Sequence, residues 1–201
     1  MARTQEAERA GIQRRAQIVN AALELFAARG YDATSLASVA RAVEISQPGL
    51  LHHFNGKEAL LAAVLDERDQ RAFTAVEIER DYDGTAFERA LEVAADMVAW
   101  NVHHRDLARL GHLGAAHHPP MATAWARERT VRLRRQIAGV VAGAIAEGTV
   151  RPTADPQLVA SFVIAGVGGL ESQWLVDDSF DMVSAMQEFT QMLRRDLLVS
   201  P

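Results

Sequence analysis

The chain has 201 residues, 49% of them apolar and 23% charged, with a formal net charge of −5. That length holds one large domain or two small ones, with apolar material enough for a sizeable core. It contains no cysteine, which excludes disulfide scaffolds, thiolate nucleophiles, iron–sulfur clusters and Cys-based zinc sites. Charge is uneven: residues 1–58 carry net +1 and residues 59–201 net −6, so only the first quarter suits a polyanion.

Nearly every segment has helical periodicity, and no stretch alternates with period two for long. A first helix is expected over about 7–29, with Ile18, Ala21, Ala22, Leu25 and Phe26 on one stripe and Gly30 stopping it. Thr34 offers an N-cap for a short second helix to Val43, with Leu36, Val39, Ala40 and Val43 inward. Glu44-Ile45-Ser46 reads as a turn. Ser46 caps a third helix over 47–53, where Pro48 is tolerated in the first turn. Asn55 with Glu58 starts a fourth helix, about 56–80. Asp81 to Gly84 breaks the pattern. Helices follow over about 85–102 and 106–116, then a loop at His117-His118-Pro119-Pro120. A seventh helix spans about 121–147 and ends at Gly148. Asp155-Pro156 opens an eighth to Val176. A ninth spans about 179–198, with Phe180, Val183, Met186, Phe189 and Leu193 facing inward or toward a partner. The fold class is all-α, about nine helices.

The uncharged run Pro156–Leu170 has fifteen residues, against the ~20 that a membrane span needs, and reads as a buried core helix. The N-terminus sets Glu6 and Glu8 among its arginines without an apolar segment, so no secretory signal is visible. A cytoplasmic protein without a membrane partner is expected.

Two short helices joined by a tight turn and braced by a preceding amphipathic helix describe a helix-turn-helix unit, whose second helix enters the major groove. Gln47 can pair bidentately with adenine. Gly49 permits close backbone approach. Thr34 and Ser35 place hydroxyls and N–H groups at a helix start suited to phosphate. Lys57, the sole lysine in the chain, starts another helix.

The run Gly30-Tyr31-Asp32-Ala33-Thr34-Ser35-Leu36, then Val39-Ala40, Ile45-Ser46, Leu50, His52-His53-Phe54 and Lys57-Glu58-Ala59-Leu60, resembles the signature of TetR-family transcriptional regulators. The motif covers about residues 14–61. Beyond it only the helix layout agrees, including the connection from Ala146 to Pro156. The resemblance implies an N-terminal three-helix DNA-binding domain, placed at 1–57, and a larger helical ligand-binding and dimerisation domain at 58–201. It implies that Thr34 caps and contacts phosphate, that Gln47, Pro48 and Gly49 read bases, that His52 touches DNA and that Lys57 binds phosphate. Two residues depart from the pattern. Leu51 stands where the family usually has a phosphate-binding tyrosine, and Glu44 where glycine is common in the turn. A positive φ at Glu44 would cost about 1 kcal/mol.

The resemblance further implies a homodimer whose C-terminal domains bind a small molecule, most simply a repressor on a near-palindromic operator. A four-helix interface from the eighth and ninth helices is expected, with Gly166, Gly168 and Gly169 permitting close approach. Met97, Trp100, His104, His112, Met121, Trp125, Phe162 and Trp174 are candidate ligand contacts. With few charges among them, the ligand is expected to be largely apolar. Taken singly, each of these residues reads more readily as core than as a ligand contact, and a pocket as a whole is more expected than any one member.

Two other readings compete. Five of the seven histidines lie between His103 and His118, which suggests a metal-responsive regulator. However, adjacent histidines diverge and no carboxylate sits at the i+4 spacing. The other is a helical small-molecule binder with a decayed DNA module. The run Gly166 to Gly169 follows no strand, so it is no dinucleotide fingerprint. No Ser-His-Asp arrangement or nucleophile motif appears, so neither an enzyme nor a cofactor is expected.

Overall fold

The computed structural model describes residues 2–79, 83–116 and 120–199. Among them are nine helices: α1 (Ala2–Arg29), α2 (Leu36–Ala42), α3 (Gln47–His53), α4 (Lys57–Glu79), α5 (Ala86–His103), α6 (Arg105–Ala116), α7 (Pro120–Ala146), α8 (Pro156–Val176) and α9 (Met182–Leu197). The expected loop residues His117 to Pro119, and Asp81 and Tyr82 of the expected break, lie outside the described residues.

Packing groups the chain into two units, Met1–Arg71 with Asp106–Trp125, and Ala72–Arg105 with Ala126–Pro201. The boundary expected at Lys57 is the first residue of α4. The N-terminal unit keeps the start of that helix and adds α6, because Leu60, Leu61, Val64, Leu65 and Leu110 are buried in one core with Ile18, Leu23, Phe26, Val39, Leu50 and Phe54. The stripe of α1 is turned slightly from the expected one: Val19 and Leu23 are buried, while Ala21 and Leu25 are only partly so.

Several ties brace this unit. Arg68 is buried, donates from Nε to the Leu107 carbonyl at 3.2 Å and pairs with Asp69 at 3.0 Å. Trp125 donates to Asp66 at 2.8 Å. Such charge-assisted and side-chain bonds fix register once the apolar core has formed.

The second unit has its own core. Phe87 and Leu91 of α5 meet Val141 and Ala144 of α7, Val159 and Val163 of α8, and Leu197 of α9. An isolated bridge pairs Val150 with Leu198, and Arg151 N–H donates to the Leu197 carbonyl at 2.9 Å. That bridge ties the α7–α8 connection to the end of α9. Gly166 admits the Phe189 ring: a Cβ there would lie 2.4 Å from its Cζ. The other two glycines, Gly168 and Gly169, have nothing within 4 Å of such a Cβ.

Helix α8 departs from the expected buried core helix. It buries Val159, Ala160, Val163 and Trp174, yet Leu158, Phe162 and Val176 are exposed, Val176 at 87%. Its neighbours cover one face only. By length and composition alone it is apolar enough to cross a membrane, and a half-buried helix in a packed unit passes the same test.

Candidate nucleic-acid interface

Helices α2 and α3 and the start of α4 frame the site, and the sequence specifies each entry point. Ser35, not Thr34, caps α2, its Oγ accepting from Ser38 N–H at 3.1 Å. Thr34 is instead 1% exposed, and its hydroxyl lies 2.9 Å from the Gly30 carbonyl and 3.3 Å from that of Leu25. The expected cap is therefore corrected by one residue. A short polar side chain can end a helix or bind neighbouring carbonyls, and at Thr34 the carbonyls win because burial leaves its hydroxyl no other partner.

The turn closes as a Schellman motif. Ile45 N–H reaches the Ala40 carbonyl at 3.0 Å, and Glu44 N–H the Arg41 carbonyl at 3.2 Å. This motif places its central residue in the left-handed region. Glu44 has φ 55°, the one non-glycine residue with positive φ among those described. Arg14 of α1 donates to the Val43 carbonyl at 3.3 Å.

Helix α3 begins where expected. Ser46 Oγ accepts from Gly49 N–H at 3.1 Å. A Cβ on Gly49 would lie 3.3 Å from that oxygen, so this glycine keeps the cap intact as well as the surface low. Leu50 is fully buried and anchors the helix, so the opposite face is presented outward: Gln47, Pro48, Leu51 and His52 are exposed. The apolar Leu51, 43% exposed, offers no hydrogen bond at that surface.

Lys57 is half-buried in the first turn of α4. Its Nζ donates to the Asp32 carbonyl at 3.3 Å and lies 4.1 Å from the Tyr31 ring centroid. Burial, then the charges of Glu58 and Asp32, push the Tyr31 phenol above its ordinary value, so it stays neutral. Tyr31 and Asp32 stand in the motif run, but the sequence assigned them no role. They stand some twenty-five residues from Lys57 and meet it only through the fold.

The eight ligand candidates are divided. His112 and Trp125 belong to the N-terminal unit, where Trp125 packs against the core. Met121 is the second residue of α7, with its side chain outside the described residues. In the second unit Trp100 stacks on His104, centroids 4.1 Å apart. Trp174 is buried beneath the Arg105 guanidinium, 4.6 Å from its ring, and Arg105 also donates to the Trp174 and Leu175 carbonyls and pairs with Asp178. Met97 is partly buried and Phe162 is 63% exposed. None of the eight lines either described cavity. One, about 480 Å³, lies in the N-terminal unit beside Phe26, Tyr31, Asp32, Leu61, Arg109 and Leu110. The other, about 340 Å³, lies beside Ser172, Gln173, Val176, Asp177 and Phe180. No group of three potential metal-ligating side chains occurs among the described residues, and His117 and His118 lie outside them.

The elements thus define an all-helical helix-turn-helix protein, with a capped reading helix on its first unit. Residues 18–64 match the family of bacterial regulatory proteins, tetR family. That segment spans the helix-turn-helix unit and is similar to the DNA-binding domain of TetR-family transcriptional regulators.

Among curated relatives, the uncharacterized HTH-type transcriptional regulator YuxN of Bacillus subtilis is 32% identical over 92 residues, 44% of this chain and 31% of that protein. The first relatives are therefore matched over only about a third of their own length. HTH-type transcriptional regulator TtgR of Pseudomonas putida is 27% identical over 195 residues, covering 93% of this chain and 92% of that protein. Among solved structures, a TetR transcriptional regulator from Chloroflexus aurantiacus superposes with TM-score 0.77 at 19% identity, covering 96% of this chain and all of that one. FadR from Bacillus subtilis, in complex with stearoyl-CoA, has TM-score 0.74 at 18% identity, covering 88% and 96%. At these identities the structures establish a shared fold.

Proposed function

We propose that this chain is a ligand-responsive repressor, cytoplasmic, which binds a near-palindromic operator as a homodimer and is released by a largely apolar small molecule. The observation that carries the reading is the reading helix itself: α3 is capped by Ser46, anchored by Leu50 and exposed at Gln47, Pro48, Leu51 and His52. Gln47 reads a base edge, while Ser35, His52 and Lys57 meet the backbone. Thr34 serves indirectly, by holding the turn before Ser35.

Dimerisation through α8 and α9 is supported by the exposed stripe of Leu158, Phe162 and Val176 on a helix whose other face is packed. A two-fold dimer sets two reading helices about one DNA turn apart. We assign the effector to the second unit, at Met97, Trp100 and His104, with Trp174 buried beneath Arg105. The stearoyl-CoA bound by the Bacillus subtilis FadR favours a long apolar body for it. Helix α4 begins at Lys57 and continues into the residues of the second unit, so effector binding that favours one position of α4 alters the spacing of the reading helices. The effector must bind that spacing better than the DNA-bound one.

The test is fluorescence anisotropy on duplex DNA. Lys57→Ala is expected to weaken binding to every sequence and lower the salt slope by about 1. Gln47→Ala is expected to change preference at one base pair by about 1–3 kcal/mol and leave the slope alone. Identical behaviour of the two variants would contradict the register assigned to α3.

A further inference from the structure

We infer that Tyr31 is a positioning residue for DNA-backbone binding, whose ring and neighbouring carbonyl seat the ammonium of Lys57 so that it faces phosphate already ordered. The inference rests on the reading of the N-terminal unit as a DNA-binding head. An ammonium has three N–H donors and no acceptor. At Lys57 one is engaged by the Asp32 carbonyl at 3.3 Å, and the ring face of Tyr31, 4.1 Å away, holds the charge from another side. The remaining donor capacity is left for a phosphate.

The seat is itself fixed. The Tyr31 ring packs edge-on against the buried Phe26, with centroids 5.3 Å apart and planes at 69°. The turn that carries it leaves α1 at Gly30, φ 84°, and is tied by the buried Thr34 hydroxyl to the Gly30 and Leu25 carbonyls. A free lysine gives up many rotamers when it grips a phosphate. Here most of that ordering precedes the encounter. Leu51, exposed on α3, offers no hydrogen bond at that surface, so the one lysine of the chain carries a larger share of backbone anchoring.

The singular lysine makes the inference directly measurable. Reductive methylation with ¹³C labels Lys57 and the amino terminus alone. The Lys57 dimethylamine resonance is expected to be shifted upfield by the ring in the wild type and in Tyr31→Phe, and to return to the position of a free lysine in Tyr31→Leu. In parallel, anisotropy of a labelled random-sequence duplex between 50 and 200 mM salt is followed for each variant. Tyr31→Leu is expected to lower the slope of log K against log salt by about 0.9, the loss of one phosphate contact. Tyr31→Phe is expected to keep the wild-type slope, and Tyr31→Leu added to Lys57→Ala to change nothing further. An unshifted wild-type resonance overturns the inference. So does a Tyr31→Leu effect that leaves the slope intact or persists in the Lys57→Ala background, since that is the mark of a merely structural role. If Tyr31→Leu loses its helical circular dichroism, the wild-type and Tyr31→Phe resonances decide alone. Absence of salt-dependent binding in the wild type overturns the reading of the head and the inference with it. Salt-dependent binding with an unchanged Tyr31→Leu slope overturns the inference only.

Discussion

At φ 55°, Glu44 occupies backbone territory where a Cβ crowds the following carbonyl. The same hydrogen-bond pattern ends α7, where Thr149 N–H reaches the Ala144 carbonyl at 3.0 Å, but there the left-handed residue is Gly148, φ 74°. Glu44→Gly is therefore expected to stabilise the protein by up to about 1 kcal/mol, the relief being offset in part by the entropy of a freer unfolded chain. Chemical denaturation checks this, and a lower midpoint than wild type would contradict it. Removing the carboxylate beside the reading helix is also expected to tighten duplex binding. Thr34 is the second residue whose role is local: Thr34→Val leaves the part-buried Gly30 and Leu25 carbonyls short of a donor and is expected to cost about 1 kcal/mol. A cost near zero would mean that the hydroxyl is dispensable to the turn. The pattern of small polar residues marked the helix start but could not say which of two adjacent hydroxyls caps it. That choice depends on which one the core buries.

Helix entry points were the most legible elements, because a cap is written in consecutive residues. Ser46 before Gln47 and Asp155 before Pro156 sit where expected. Thr85 with Glu88 forms a reciprocal capping box at the start of α5, Glu88 Oε2 accepting from Thr85 N–H at 2.9 Å. The backbone and hydroxyl bonds from Thr85 hold the Glu88 carboxyl below its ordinary value of 4.5. A lowered carboxyl pKa stabilises the fold above the unfolded value and loses that contribution as the pH falls through 4.5 and beyond. Thr85→Ala is expected to cost about 1 kcal/mol near neutrality, and its deficit relative to wild type should shrink below pH 4. A deficit independent of pH would contradict the box. Helix faces were less legible. Gly166 was expected to allow helix approach and does so toward Phe189 of α9 within one chain. Gly166→Ala forces that ring aside and is expected to cost about 1–3 kcal/mol in thermal unfolding. A Cβ on Gly168 or Gly169 would have nothing within 4 Å, a distinction that helical spacing cannot draw. The start of α9 was also expected too early: Asp181, not Ser179, is its cap, accepting from Ser184 N–H at 3.0 Å. Ser179 instead bonds Asp177 in the preceding turn.

Across the whole molecule, the helix-turn-helix was legible because its pattern is short and contiguous, while the residues offered as effector contacts could not be told from core by pattern, because aromatic residues serve core and cavity alike. Trp125 and Trp174 illustrate this: one is tied to Asp66, the other lies under Arg105. The exposed stripe of α8 carries a prediction at this scale. The wild type is expected to sediment at twice the chain mass, and Phe162→Glu, which sets a charge in the proposed interface, is expected to dissociate it without changing helical content. A variant that stays dimeric would move the interface elsewhere. The central claim, that the chain reads DNA sequence as a two-fold dimer, is tested most directly by incubating it with a random-duplex library at moderate and high salt and sequencing what it retains. The expected result is a near-palindrome, half-sites about one helical turn apart, enriched at moderate salt and lost at high salt. Retention without sequence enrichment, or enrichment of a single half-site, would contradict it.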